Sequence, residues 1–349
     1  MTVTFRRRPA AALMSAALLG LSISACSSDG GDDTAASDSA DGTYPVTFTS
    51  PWGESTLEEK PTRIASLGYK DSDVLAALGE TPVIMSDATQ AQEFYTMDAM
   101  PGEPELTFTY DENQMAPIEE IAAAEPDLIV ASQMDLSADY DKLSEIAPVI
   151  AAETTEDVAG NWQQTATNLG EALGKQNEAE AVITETTETA TRIRDEHPEF
   201  DGKSLTMINY FGLDQMLHLN PEGTDLADLL SSIGFSGTPG AVDLPEGSIP
   251  EERISDLAAD VLVIIDNSDG KIAELEDNPV FQNLQPVKDG HVLVIHNHAF
   301  MTPPEAAFDI DGEKQEGNLA WAIGYPGPLS TQWELETLAP LLADTVSGE

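Results

Sequence analysis

Cysteine is almost absent: Cys26 is the only one in 349 residues. A body without a second thiol gains nothing from internal disulfides and must rely on its apolar core. Basic residues are scarce too, 15 Lys and Arg against 63 Asp and Glu, for a formal net charge of -48. Such a surface repels nucleic acid and anionic lipid headgroups, so no nucleic-acid partner is expected, and solubility is the plain reading of the acidity. The apolar run from Ala10 to Leu21 is too short to span a bilayer, and no other run of spanning length follows. A GxSxG elbow and a Gly-rich phosphate loop after a strand are missing as well. An enzyme would need an unrecognised constellation, and none is expected.

What the chain does contain begins with Arg6, Arg7 and Arg8 ahead of the apolar run, the layout of a signal peptide over residues 1–25. Its end, Ile23-Ser24-Ala25-Cys26, resembles the bacterial lipobox, in which the thiol is lipidated and cleavage leaves it first in the chain. Each buried methylene of such an anchor contributes about 0.8 kcal/mol, and stable attachment takes more than one acyl chain. After Cys26 the stretch "SSDGGDDTAASDSADGT" has almost nothing to bury, so residues 26–43 read as a lipidated, disordered tether. The body is expected at the extracellular face of the cell membrane, or in a periplasm.

That body alternates between strand and helix signals. "YPVTFTS" and "STLEE" read as a hairpin, "RIASLG" as a strand, "DSDVLAALG" as a short helix and "PVIMSD" as a strand. "PIEEIAAAE", "DLIVAS", "YDKLSEIA" and "PVIAAE" continue the alternation as far as about residue 157. Residues 158–198 are then almost continuously helix-compatible, interrupted by Gly170 and Gly174 and stopped by His197-Pro198. From 199 to 349 strands are expected in "SLTMINYF", "VLVIID" and "HVLVIHN". Helices are expected in "TDLADLLSSIG", "PEERISDLA", "NPVFQNL" and "STQWELETLAPLLADTV". The pattern predicts an α/β protein of two Rossmann-like lobes with central parallel sheets, residues 44–157 and 199–349, on either side of the helical connector.

Five segments, "PTRIASLGYKDSDVLAALG", "IEEIAAAEPDLIVAS", "YDKLSEIAPVI", "NPVFQNLQPVKDGHVLVI" and "GPLSTQWELETLAPLLA", together resemble the substrate-binding lipoproteins of ABC importers for ferric siderophores, haem and cobalamin. The resemblance implies two lobes bridged by a single long helix, with a largely preformed cleft between them. It also implies a monomer working with a permease and an ATPase. No bound cofactor is implied beyond the cargo, an Fe(III)-siderophore complex.

In open parallel sheets ligands sit beyond the carboxyl ends of strands. The residues expected there are Tyr69 and Lys70, Ser132 and Gln133, Tyr210 and Phe211, Asp266 and Asn267, and His296, Asn297 and His298. The loop after the last strand adds Phe300, Trp321 and Tyr325. Tyr69 and Tyr210 fit ligand contact or simple capping of strand ends with their hydroxyls in water. His296 and His298 fit either coordination of haem iron or a ferric complex, or ordinary loop hydrogen bonding. His197 and His291 read as structural, and His218, within "MLHLN", as facing solvent or a neighbouring strand.

The resemblance further implies that an anionic catecholate or citrate complex would be met by several arginines over the cleft. Beyond the signal the chain has Arg63, Arg192, Arg194 and Arg253, none directly after an expected strand, and only Lys70 is well placed. A neutral or cationic hydroxamate-type ferric siderophore is therefore favoured, with haem or cobalamin as alternatives. A manganese or zinc receptor, or a hydrolase using His296, His298 and Asp309, ranks lower, because the first lobe holds no histidine and the spacing matches no zinc motif. By the same resemblance Glu119 and Glu252 match the glutamates that dock each lobe onto arginine pockets of the permease, beside the plainer reading of solvated helix faces.

Overall fold

The computed structural model describes residues 43–86, 99–110, 116–154, 161–238, 249–298, 308–310, 312–315, 317–324 and 326–348. Cys26 and its tether lie outside the described residues. Strand β1 (Val46–Ser50) turns at Pro51-Trp52 into β2 (Gly53–Leu57), and the hairpin buries Val46, Phe48 and Leu57 while Thr47, Thr49 and Thr56 face solvent. Period-two alternation is what a hairpin with one wet face requires.

The first sheet runs β5 (Leu106–Phe108), β4 (Ile84–Ser86), β3 (Ile64–Ser66), β6 (Leu128–Ala131), β7 (Val149–Ala151), every neighbouring pair parallel. Strands β3, β4, β6 and β7 are buried at every residue, as expected of a parallel sheet covered on both faces. Its helices are α1 (Tyr69–Ala77), α2 (Ile118–Ala123) and α3 (Tyr140–Ser144).

The connector is two helices rather than one. α4 (Trp162–Leu173) ends at Gly174, whose φ of 65° suits a residue without Cβ, and α5 (Gln176–Glu196) follows after Lys175. α4 packs wholly on the first lobe, burying Trp162, Ala166, Leu169 and Leu173 beside Phe48 and Leu75. α5 is the bridge: Ala179 belongs to the first lobe's core and Ala190 and Ile193 to the second's. Its 21 residues span about 31 Å at about 1.5 Å per residue. Gly170 lets the two helices touch, since a Cβ there would stand 2.7 Å from that of Ala179.

The second sheet is ordered β13 (Glu313–Gln315), β12 (Phe308–Ile310), β11 (Val292–Asn297), β10 (Val261–Asp266), β8 (Leu205–Gly212), β9 (Gln215–His218). Its core β11-β10-β8 is parallel, and β9, β12 and β13 add antiparallel edges. The helices here are α6 (Asp225–Ser232), α7 (Ile272–Glu276), α8 (Gln285–Asp289), α9 (Leu319–Gly324) and α10 (Pro328–Ser347). The helices expected in "PEERISDLA" and "NPVFQNL" are 3-10 turns, Glu251–Leu257 and Phe281–Asn283. α10 buries Leu335, Leu338, Ala339 and Leu342 in the second lobe's core, yet its first turn packs on α1 of the first lobe through Leu329. The lobes thus meet at α10 as well as along α5. No helix of the described residues is long and apolar enough to cross a membrane.

Candidate functional site

In the first sheet the chain leaves β3 toward β4 on one side and β6 toward β7 on the other, so β3 and β6 are adjacent strands whose continuations diverge. A crevice opens at their carboxyl ends for that reason. Gly68 sits there at the start of α1, where a Cβ would lie 2.3 Å from Gln133 Oε1. The Asp71 carboxylate reaches back to Gly68 N at 2.9 Å and accepts from Ser132 N at 3.2 Å and from Ser132 Oγ. Thr165 Oγ1 donates to Ser132 Oγ at 2.9 Å, extending the buried chain to α4. Burial pushes the Asp71 carboxyl up, and these hydrogen bonds pull the other way.

Tyr69 and Lys70 are the first turn of α1 rather than a loop. Lys70 N donates to Gln133 Oε1 at 2.7 Å, so two residues expected at the site are brought together. The Lys70 side chain, however, is only 4% exposed and its ammonium pairs at 3.5 Å with Asp225, which opens α6 of the second lobe. Burial lowers its pKa, and Asp225 opposes that. This lysine ties lobe to lobe and does not stand open to an anion. Tyr69 is half-buried beside Met85, Met100 and Leu329.

In the second sheet β8 and β10 play the same part, since the chain turns from β8 to β9 on one side and runs on through β10 to β11 on the other. Tyr210 is a correction: it is fully buried among Ile208, Leu262 and Ile264, its hydroxyl donates to Lys271 O at 3.2 Å, and burial pushes its pKa up to about 12. It is a core residue because both faces of β8 are covered. Its neighbours Asn209 and Phe211 are half-buried on the opposite face, as strand alternation demands. Asn267 donates to Asn209 Oδ1 at 3.0 Å and accepts from Asn297 Nδ2 at 2.6 Å, an amide chain across three strands' ends.

Asp266 accepts from Ser268 N at 2.9 Å and from Ser268 Oγ, and holds His296 through Nδ1 at 2.9 Å. His298 pairs through Nε2 with Asp309 of β12. Burial works against the Asp309 carboxylate, but His298 and the Gly312 amide outweigh it and its pKa is lowered. Both imidazoles are oriented by carboxylates, the arrangement that fixes a ring's direction. No group of three or more His, Cys, Asp and Glu able to hold a metal occurs among the described residues.

Trp321 lies on α9, while Phe300 and Tyr325 fall outside the described residues. Glu119 is exposed in the first turn of α2 and Glu252 in the 3-10 turn Glu251–Leu257, each nine residues ahead of the strand its segment leads into, β6 or β10. Asp71, Asn209 and Asp225 carry the geometry but were absent from the sequence expectation. An acid three residues after a strand-end glycine was the one available signal, for Asp71. The four described arginines are engaged away from both carboxyl edges: Arg63 with Glu105 and the Ala124 and Glu125 carbonyls, Arg192 with Glu196 and Glu336, Arg194 with Asp201, and Arg253 with Asp256.

With two switch points, their carboxyl edges and one bridging helix established, comparison with known proteins gives the class. Residues 64–299 match the Periplasmic binding protein family, and the chain belongs to it. Over 251 residues the chain is 25% identical to the Fe(3+)-citrate-binding protein YfmC of Bacillus subtilis, covering 69% of this chain and 75% of that one. The structure of a periplasmic solute binding protein from Mycobacterium smegmatis superposes with a TM-score of 0.68 at 26% identity, covering 86% of this chain and 99% of that chain. The iron uptake ABC transporter substrate-binding protein PiaA of Streptococcus pneumoniae, at 23% identity and a TM-score of 0.68 over 87% of this chain and all of the other, shares the fold.

Proposed function

We propose that this protein is the capture component of an iron ABC importer, holding a neutral or cationic ferric siderophore, of hydroxamate type, between the carboxyl edges of its two sheets. Cys26 anchors it by lipid to the extracellular face of the membrane, and Glu119 and Glu252 dock it on a permease driven by an ATPase. The cargo's bonds are neither made nor broken.

The observation that carries the ligand class is the cation inventory at the edges. Each described arginine is spent elsewhere on acids or carbonyls, and the lysines there are Lys70, committed to Asp225, and the exposed Lys271 after β10. Amides and half-buried aromatics remain: Gln133, Asn209, Asn267, Tyr69 and Phe211. Such groups suit the neutral carbonyl-rich surface of a hydroxamate complex, whereas an anionic complex would lack bidentate partners. Family membership and the iron-binding name of YfmC support the iron-transport part of the reading.

The test is a fluorescence titration of the purified protein with a ferric trihydroxamate, ferric citrate, a ferric catecholate and haem. Saturable, tight binding of the trihydroxamate over the other three is expected. Tight binding of citrate or catecholate with none of the hydroxamate overturns the ligand class. Binding of haem alone moves the protein to the haem reading.

A further inference from the structure

Asp266 ends β10, and His296 stands beside it near the end of β11, at the carboxyl edge of the second sheet. The hydrogen bonds around this carboxylate decide which ring nitrogen carries the proton. Oδ1 accepts from Ser268 N at 2.9 Å and from Ser268 Oγ, which itself accepts from Lys271 N at 3.0 Å. Oδ2 is left for His296 Nδ1, at 2.9 Å. Asp266 is 5% exposed and its carboxylate only accepts, so Nδ1 holds the hydrogen.

The neutral ring then turns a bare lone pair outward at Nε2. That nitrogen has no hydrogen-bond partner among the described residues, and the side chain is 31% exposed. The iron-bound oxygens and carbonyls of a ferric hydroxamate have no hydrogen to give, so acceptor would face acceptor. A second proton on the ring turns Nε2 into a charged donor, which makes the stronger kind of hydrogen bond.

The surroundings favour that proton. Asp309 on β12 faces His296 in register. Against burial, its carboxyl is held low by His298, by the Gly312 amide and by the charge of His296, so in return it favours the charged ring. Lys314 on β13 lies opposite Asp309, Tyr210 on β8 lies beside Asp266, and Lys271 and Glu274 stand in the loop and helix after β10.

We infer that His296 is the cleft's switchable donor: positioned by Asp266, its imidazolium gives Nε2–H to an oxygen of the ferric cargo, which is therefore held more tightly as pH falls. This rests on the reading that the cargo lies between the two carboxyl edges. Imidazole is the side chain whose charge changes between about pH 5 and 8.

Asp266→Asn separates this role from a structural one. Oδ1 must remain oxygen to meet both Ser268 donors, so the new NH2 takes the place of Oδ2 and donates to Nδ1. The ring hydrogen moves to Nε2, and the neutral ring becomes a donor at every pH.

The experiment has two arms, both on the full-length chain in detergent. Histidine nitrogen NMR without cargo reads the tautomer near pH 8. Nδ1–H is expected in the parent and Nε2–H in Asp266→Asn, with His296→Ala identifying the signal. Titration with a ferric trihydroxamate near pH 8 and near pH 6 then reads affinity, and the parent should bind about ten-fold more tightly at the lower value. Burial places Asp73, at about 6, and Glu334, at about 8, in the same window, so the decisive quantity is the difference from His296→Ala. That variant should keep the weaker affinity throughout, while Asp266→Asn should exceed the parent near pH 8 and show a flattened profile. If Asp266→Asn does not fold, the parent's tautomer and the His296→Ala profile still decide. Nε2–H in the neutral parent, a His296→Ala profile as steep as the parent's, or no gain in a folded Asp266→Asn overturns the inference and leaves the cargo reading standing. Trihydroxamate bound at neither pH overturns both.

Discussion

The carboxylate of Asp73, on α1 of the first lobe, accepts a hydrogen bond from the backbone nitrogen of Ser330, in the first turn of α10, at 2.9 Å. Leu329 N donates to the other oxygen at the same distance. One lobe therefore caps the closing helix of the other, where Gly327 leaves room because a Cβ would stand 2.6 Å from Asp73 Cγ. Burial pushes the Asp73 carboxyl up to about 6 while these amides pull it down.

Replacing Asp73 by Ala strands two helix-start amides and removes a negative charge from a helix N-terminus. Loss of such a cap costs about 0.5–2 kcal/mol. Urea unfolding at neutral pH is expected to show a lower midpoint with an unchanged slope, and an unaltered midpoint would mean that the contact carries no stability.

Glu334, one turn further along α10, is 1% exposed, and neither carboxylate oxygen has a hydrogen-bond partner among the described residues. Burial raises its pKa from 4.5 to about 8. The folded state then holds a proton that the unfolded chain releases above about 4.5. Stability contributed by the neutral form is full below that value and falls as pH rises toward 8, by roughly 1.4 kcal/mol per unit of displacement at most. Glu334→Gln keeps the shape without the titration. It should melt close to the parent near pH 5 and clearly above it near pH 8, and parallel melting curves at both values would refute the buried acid.

Much of this fold is legible in the chain because parallel strands read as apolar runs and helices as periodic ones. "DLIVAS" and "VLVIID" needed no structure to be recognised. The same continuity hid the face of Tyr210, since β8 is buried on both sides and no alternation marks which residues look toward the edge. Edge strands β9, β12 and β13 are short and polar, so they carry no run to read. α1 begins at Tyr69 because Asp71 reaches back to Gly68 N, although Gly68 offers no side-chain cap of its own. Lys70 lies at the expected edge, and nothing local announces its ion pair with Asp225, 155 residues away.

Asp71 meets only donors: Gly68 N, Ser132 N and Ser132 Oγ. Asp71→Asn turns an amide NH2 toward one of them, and an unmet buried group costs about 1–3 kcal/mol. The loop after β3 and the end of β6 should separate, freeing Gln133 from Lys70 N. Both cargo affinity and thermal stability are expected to fall, while Ser132→Ala, which keeps the backbone donor, falls less. Unchanged affinity in a folded Asp71→Asn protein would place the cargo away from this crevice.

Glu119 and Glu252 offer the sharpest separation between holding a cargo and delivering it. Each is exposed, each sits nine residues ahead of a central strand, and the two strands occupy matching positions in their sheets. In a chain carrying -48 most exposed acids are interchangeable, so only position distinguishes these two. If the proposed docking on basic permease pockets holds, reversing one to Arg sets like charge against like, which costs far more than the loss of one surface pair. Glu119→Arg and Glu252→Arg should each cut iron uptake in cells several-fold, and the double variant further, with cargo affinity of the purified protein unchanged. Reversal of Glu120, beside Glu119 and equally exposed, should matter less. Equal loss at Glu120 would reduce the effect to bulk charge, and loss of affinity in either variant would put these residues at the cargo instead of at the permease.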